Sequence, residues 1–156
     1  MKVQEFLAQG TEKSASELIR QAGRLPADKL TWQPADTARN ALDQVAECAV
    51  IGRFIPNILE TRETPKFDEE SMARFKAAKE ELDTLEKASE ALQASTALTA
   101  AAIRAMPDEA LEETMQFFGP EPWTILQIMG MHKWNMDYHC GQICYIQTLL
   151  GDKDMF

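Results

Sequence analysis

Apolar residues recur at intervals of three and four along the last fifth of the chain. Ile125, Ile128, Met129, His132, Met136, His139, Ile143, Ile146 and Leu150 fall on one stripe, the signature of a helix with one buried face. The spacing predicts a long fourth helix that opens at Glu121-Pro122, where proline's missing N–H costs nothing, and closes at Gly151, a residue suited to the position just past a helix. Both histidines of the chain ride on this stripe, so His139 points where the apolar side chains point. A polar imidazole placed there must find a partner.

Three earlier segments carry the same period. A first helix is predicted over 3–23, with Phe6, Leu7, Leu18, Ile19 and Ala22 on its apolar face and Leu25-Pro26 as its stop. Gly10 weakens its middle by about 1 kcal/mol relative to alanine, so packing must hold it. In the connector that follows, Leu30 and Trp32 cover one end of the core. The second helix starts at Asn40, with Asp43 completing an approximate capping box, and runs through 45–59 with Pro56 loosening its last turn. Residues 68–75 form a short connecting helix, and a third long helix spans about 79–106 with Leu82, Leu85, Leu92, Leu98 and Ile103 inside. Pro107-Asp108 stops it. The segment 111–120 is an extended lid or an irregular turn whose Phe117-Phe118 pair needs burial.

Four amphipathic helices with one long connection, roughly residues 60–79, describe an all-α four-helix bundle in one domain covering 1–156. That crossover is long enough to span the bundle end and leave the second and third helices parallel.

Charge narrows the function. A net charge of −9, with 16 scattered basic residues, argues against nucleic acid, whose binding rests on phosphate neutralisation. The same acidity repels anionic lipid, no uninterrupted apolar run reaches the length of a membrane helix, and Met1-Lys2-Val3-Gln4-Glu5 does not read as a signal peptide. Three cysteines cannot form a complete disulfide framework, so a cytoplasmic protein with reduced thiols is expected.

Several stretches together resemble the DinB-like (YfiT-like) superfamily. These are Leu30-Thr31-Trp32-Gln33-Pro34, the second-helix entry ending at Glu47, and His139-Cys140-Gly141-Gln142-Ile143 with Tyr145, Ile146 and the closing Gly151. The resemblance implies an up-down-down-up bundle, often a homodimer. It also implies a divalent metal held by three histidines, one in the middle of the second helix and two spaced by four on the fourth. Those positions fall on Glu47, Asn135 and His139, so two of the three are not histidine here. Family members of known activity include transferases and isomerases that use low-molecular-weight thiols.

The residues themselves leave two readings of this spot. Asn135 and His139 are one turn apart and meet the same place, and Glu47 reaches it if the second and fourth helices face each other. One carboxylate, one amide oxygen and one imidazole suit Mn, Fe, Ni or Zn without selecting among them. The other reading is a metal-free Glu47–His139 pair with Asn135 completing the network. Glu47 is the only charge between Val45 and Arg53, and carboxylates are rarely buried unless paired or ligating. His132, roughly 10 Å along the axis from His139, cannot share an ion with it and is expected as a satisfied histidine at the bundle end. Asp43 is read first as a cap and second as a further oxygen ligand. Cys48, Cys140 and Cys144 are read as packing thiols, and Trp134, Tyr138 and Tyr145 as surface or interface aromatics. The sequence holds no Gly-rich phosphate loop, Gly-x-Ser-x-Gly or His-Glu-x-x-His.

Two functions follow. One is a metal-dependent thiol transferase or hydrolase acting on a small molecule or low-molecular-weight thiol through Glu47, Asn135 and His139. The other is a non-catalytic, metal-free module of the same fold that binds a small ligand or a partner.

Overall fold

The structure, a computed structural model, describes residues 1–154. α1 (Val3–Gly23) occupies the expected span, but its buried face is Gln4, Ala8, Thr11, Ala15, Leu18 and Ala22. Phe6, expected inside, is 64% exposed. Small residues let the neighbouring helices approach on the other side, and the larger ring is left outside. Leu30 and Trp32 pack over one end of the core as expected.

α2 (Ala41–Gly52) is N-capped by Asn40, whose Oδ1 accepts from the Asp43 N–H at 2.8 Å. The capping box is only half formed, because the Asp43 carboxylate turns to Arg39 and Lys79 instead. The helix does not continue to 59. Pro56 has no N–H to offer the carbonyl of Gly52, which accepts from Thr99 Oγ1 at 3.0 Å. The chain restarts as α3 (Ile55–Thr61) with the proline in its first turn. The expected connecting helix is longer than predicted, as α4 (Glu69–Glu80). The third long helix starts later, as α5 (Leu85–Ala105), because Thr84 caps it by accepting from the Lys87 N–H. Leu98, expected inside, is 61% exposed, since α5 buries Ala88, Leu92, Ser95, Thr96, Thr99, Ala100 and Ile103.

The ambiguous segment is extended. β1 (Thr114–Met115) pairs antiparallel with β2 (Trp123–Thr124), and Gly119 takes the left-handed conformation in the connection. Phe117 is buried and packs on the half-exposed Phe118, which also touches Phe67. This pairing takes up the residues expected to open the last helix. The helix starts instead with a Thr124–Gln127 capping box as α6 (Ile125–Met129) and continues past Gly130 as α7 (Met131–Leu149). Gly151 closes it at φ 91°, as expected.

Contacts fix the directions. Gln4 meets Met106, Ser14 meets Asp137 and Gln21 meets Gln147, so α1 runs against α5 and along α7. Thr99 meets Gly52 and His139 meets Glu47, so α2 runs with α5 and against α7. The bundle is therefore up-down-down-up, with α4 inside the long crossover. Its core has two apolar clusters. One holds Leu18, Val45, Leu92, Met136 and Ile143, and the other Ile55, Leu59, Ile103, Ile125 and Met129. A buried polar waist separates them, made of Thr11 and Ser14 from α1, Ser95, Thr96 and Thr99 from α5, and His132 and Asn135 from α7.

Candidate functional site

The antiparallel packing of α7 on the first two turns of α2 brings His139 against Gln44 and Glu47. The imidazole is 2% exposed. Its Nε2 lies 3.1 Å from Glu47 Oε1, and its Nδ1 lies 2.9 Å from Gln44 Oε1 and 3.1 Å from Gln142 Oε1. The Gln44 amide is oriented by its Nε2, which donates to the Arg39 carbonyl. Both ring nitrogens thus face oxygens, a carboxylate on one side and two side-chain amides on the other.

The second oxygen of Glu47 is also taken. Arg39 Nη2 lies 2.6 Å from Glu47 Oε2, and Lys79 Nζ lies 3.8 Å from it. Arg39 also meets Asp43 at 2.7 Å, and Lys79 meets Asp43 at 2.5 Å. Two cations and two carboxylates thus alternate beside the histidine. Burial raises the Glu47 pKa, but the hydrogen bonds from His139 and Arg39 and their charges outweigh it and bring it down to about 2. Burial likewise raises that of Asp43, and Lys79 and Arg39 turn the balance downward. Burial disfavours the Arg39 cation, yet Glu47 and Asp43 hold it more firmly charged than usual.

Asn135 is buried one turn before His139 but is hydrogen-bonded to neither His139 nor Glu47, and its Oδ1 has no partner among the described residues. His132 is not at the bundle end. It sits fully buried in the waist, with Nε2 3.1 Å from Thr96 Oγ1 and Nδ1 without a partner among the described residues. Burial lowers its pKa to about 4. Cys48 is buried and its thiol is pushed upward by burial; Cys140 rises to about 12, through burial and then the neighbouring Cys144. All three cysteines are free thiols.

The donors do not fit a divalent ion as they stand. Both Glu47 oxygens and both His139 nitrogens have hydrogen-bonding partners, and two side-chain cations already neutralise the carboxylates. Among the described residues no three His, Cys, Asp or Glu side chains form a metal-holding group. Pattern reading paired Glu47 with His139 but missed Arg39, Lys79, Gln44 and Gln142. The spacing of Arg39, Asp43 and Glu47, four residues apart each time, was the available signal for the first of these.

Two grooves flank the network. One, about 440 Å³, is lined by Asp43, Lys76, Lys79, Glu80 and Asp83 among others. The other, about 560 Å³, lies between α7 and the 34–39 segment.

The sequence profile of the DinB superfamily matches residues 11–143. The chain belongs to the DinB superfamily. Solved structures agree in fold. YfiT from Bacillus subtilis, a probable metal-dependent hydrolase with an unusual four-helix bundle topology, superposes with a TM-score of 0.74 at 17% identity, covering 95% of this chain and 87% of that one. An uncharacterised protein from Clostridium difficile 630 gives 0.75 at 10% identity, covering 96% and 98%. A conserved protein from Enterococcus faecalis gives 0.73 at 16% identity, covering 97% and 99%. No curated protein matches in sequence. At these identities the likeness carries the DinB bundle and not an activity. Among the described residues no helix is long and apolar enough to cross a membrane.

Proposed function

We propose that this chain is a metal-free DinB-superfamily protein that binds a small molecule without transforming it. The observation that carries the reading is the Arg39 guanidinium 2.6 Å from Glu47 Oε2 while His139 holds Oε1. A side-chain cation stands where a ligating carboxylate would need to be free. Burying a metal there would first require breaking a charge-assisted bond and leaving Arg39 half-buried without its partner. Elemental analysis of protein purified without a chelating tag, then incubated with Mn, Ni and Zn, tests this. Far less than one metal per chain and an unchanged melting temperature are expected. A stoichiometric metal that disappears in His139→Ala would overturn it.

A second reading has one observation in its favour. Asn135 Oδ1 is buried and unpartnered among the described residues, one turn from His139. In that reading Glu47, Asn135 and His139 hold a divalent metal in a thiol transferase or hydrolase, and metal-dependent turnover of a low-molecular-weight thiol is its test. A homodimer and a cytoplasmic location are part of either reading. Exposed Trp134 supports the first and three free thiols the second. Sedimentation at low concentration checks the dimer.

A further inference from the structure

We infer that the groove between α7 and the 34–39 segment is the ligand site, and that its ligand is a small planar or aromatic carboxylate. This rests on the metal-free reading, since it uses Arg39 as a fixed cation. In a chain of net charge −9, Arg39 is the one charged residue among the described residues that line this groove. Its Nε and Nη2 are committed to Asp43 and Glu47, while Nη1 makes no hydrogen bond among the described residues. The acids that hold Arg39 are not part of this groove's lining. Asp43 lines the other groove with Lys79, whereas Arg39 lines this one. Gln44 and Gln142 also line this groove.

The floor is mainly apolar. Gly141 lies on α7 between Tyr138 and Tyr145, three residues after the first and four before the second, so the three share a face. A side chain at Gly141 would meet nothing within 4 Å, and its φ is not in the left-handed region. Glycine inside a helix costs about 1 kcal/mol relative to alanine. Neither packing nor backbone geometry requires it, so its use is to keep the space above it open. A volume of about 560 Å³ accommodates a ring of one or two cycles. The ring lies over Gly141 between the two tyrosines, and the carboxylate accepts from Arg39 Nη1.

The test is a titration of the ¹⁵N-labelled full chain with 2-naphthoate, with 2-naphthamide and acetate as controls. Naphthoate should give saturable shifts at Tyr138, Gly141, Gln142 and Tyr145. Its affinity should exceed that of the amide by at least tenfold, and acetate should not saturate. Gly141→Leu fills the groove without touching the core; it should melt no lower than wild type and lose naphthoate at least tenfold. Equal affinity for acid and amide, undiminished binding by Gly141→Leu, or no saturable naphthoate binding would each overturn the proposal. So would a groove closed by a second copy, seen as exclusion of naphthoate from a dimer that Gly141→Leu dissociates. Metal analysis of the same sample separates the two failures. A metal-free protein indifferent to naphthoate refutes the groove alone, whereas a metal-loaded protein refutes the reading beneath it.

Discussion

His132 and His139 lie two turns apart on the same buried face of α7, yet their surroundings differ completely. His139 has an oxygen at each ring nitrogen, one of them from a carboxylate, and a groove beside it. Among the described residues His132 has one hydroxyl contact and no charged partner, and it is fully buried. One site is an ionic network and the other a polar step in an otherwise apolar core. The contrast shows that burial alone assigns no role to a histidine. What the facing helix presents decides it: Glu47 and Gln44 of α2 at one level, Thr96 of α5 at the other.

The largest effect expected from breaking this contrast is at the ionic end. Glu47→Ala leaves His139, Arg39 and Lys79 without their shared acceptor and should cost about 3 kcal/mol in urea unfolding. A loss under 1 kcal/mol would mean that the cations are solvated well enough to manage alone.

At the waist, Gly52→Ala comes next. A methyl group there would lie 2.6 Å from Ser95 Oγ and 2.7 Å from His132 Nε2, so the α2–α7 approach depends on its absence. The expected loss is about 2 kcal/mol, read from the same unfolding curves. The double variant Gly52→Ala with Ser95→Ala should recover part of it.

The effect that is smallest at neutral pH, and that grows only in acid, separates the two regions by pH. The His132 pKa is held below its ordinary value, so the unfolded chain takes up the proton first. Its contribution is intact above about pH 6.5 and is lost as pH falls toward 4, by about 1 kcal/mol per pH unit. Glu47, also depressed, contributes fully above 4.5 and loses that contribution as pH falls toward 2. Stability against pH should therefore decline in two stages, and His132→Gln should flatten only the upper one. A single stage unaffected by that variant would contradict the assignment.

Much of this architecture was legible in the pattern of residues. The α7 stripe placed nine positions on one face; eight are buried and Leu150 is partly so. α1 kept its span and α2 its cap. The misreadings share a cause. Phe6 and Leu98 were assigned inward for being apolar, but the faces that pack use alanine, serine and threonine so that the helices can approach closely. The helix break at Gly52–Phe54 is met by Thr99 from a distant helix and that at 81–84 by the Thr84 cap, neither of which periodicity can register. At the site, the pairing of Glu47 with His139 was readable because a lone carboxylate and a lone imidazole each needed a partner. Arg39 is signalled only by its four-residue spacing from Asp43, and Lys79 by nothing local, since it comes from the crossover helix and only the folded chain brings it to Glu47.

Crystals grown without chelators and soaked in zinc give the most direct test of the central claim. The account predicts that Arg39 stays on Glu47 and that His139 Nε2 keeps its carboxylate contact near 3.1 Å. A strong density peak about 2 Å from Nε2, with Arg39 swung away and Asn135 Oδ1 turned toward the peak, would contradict it.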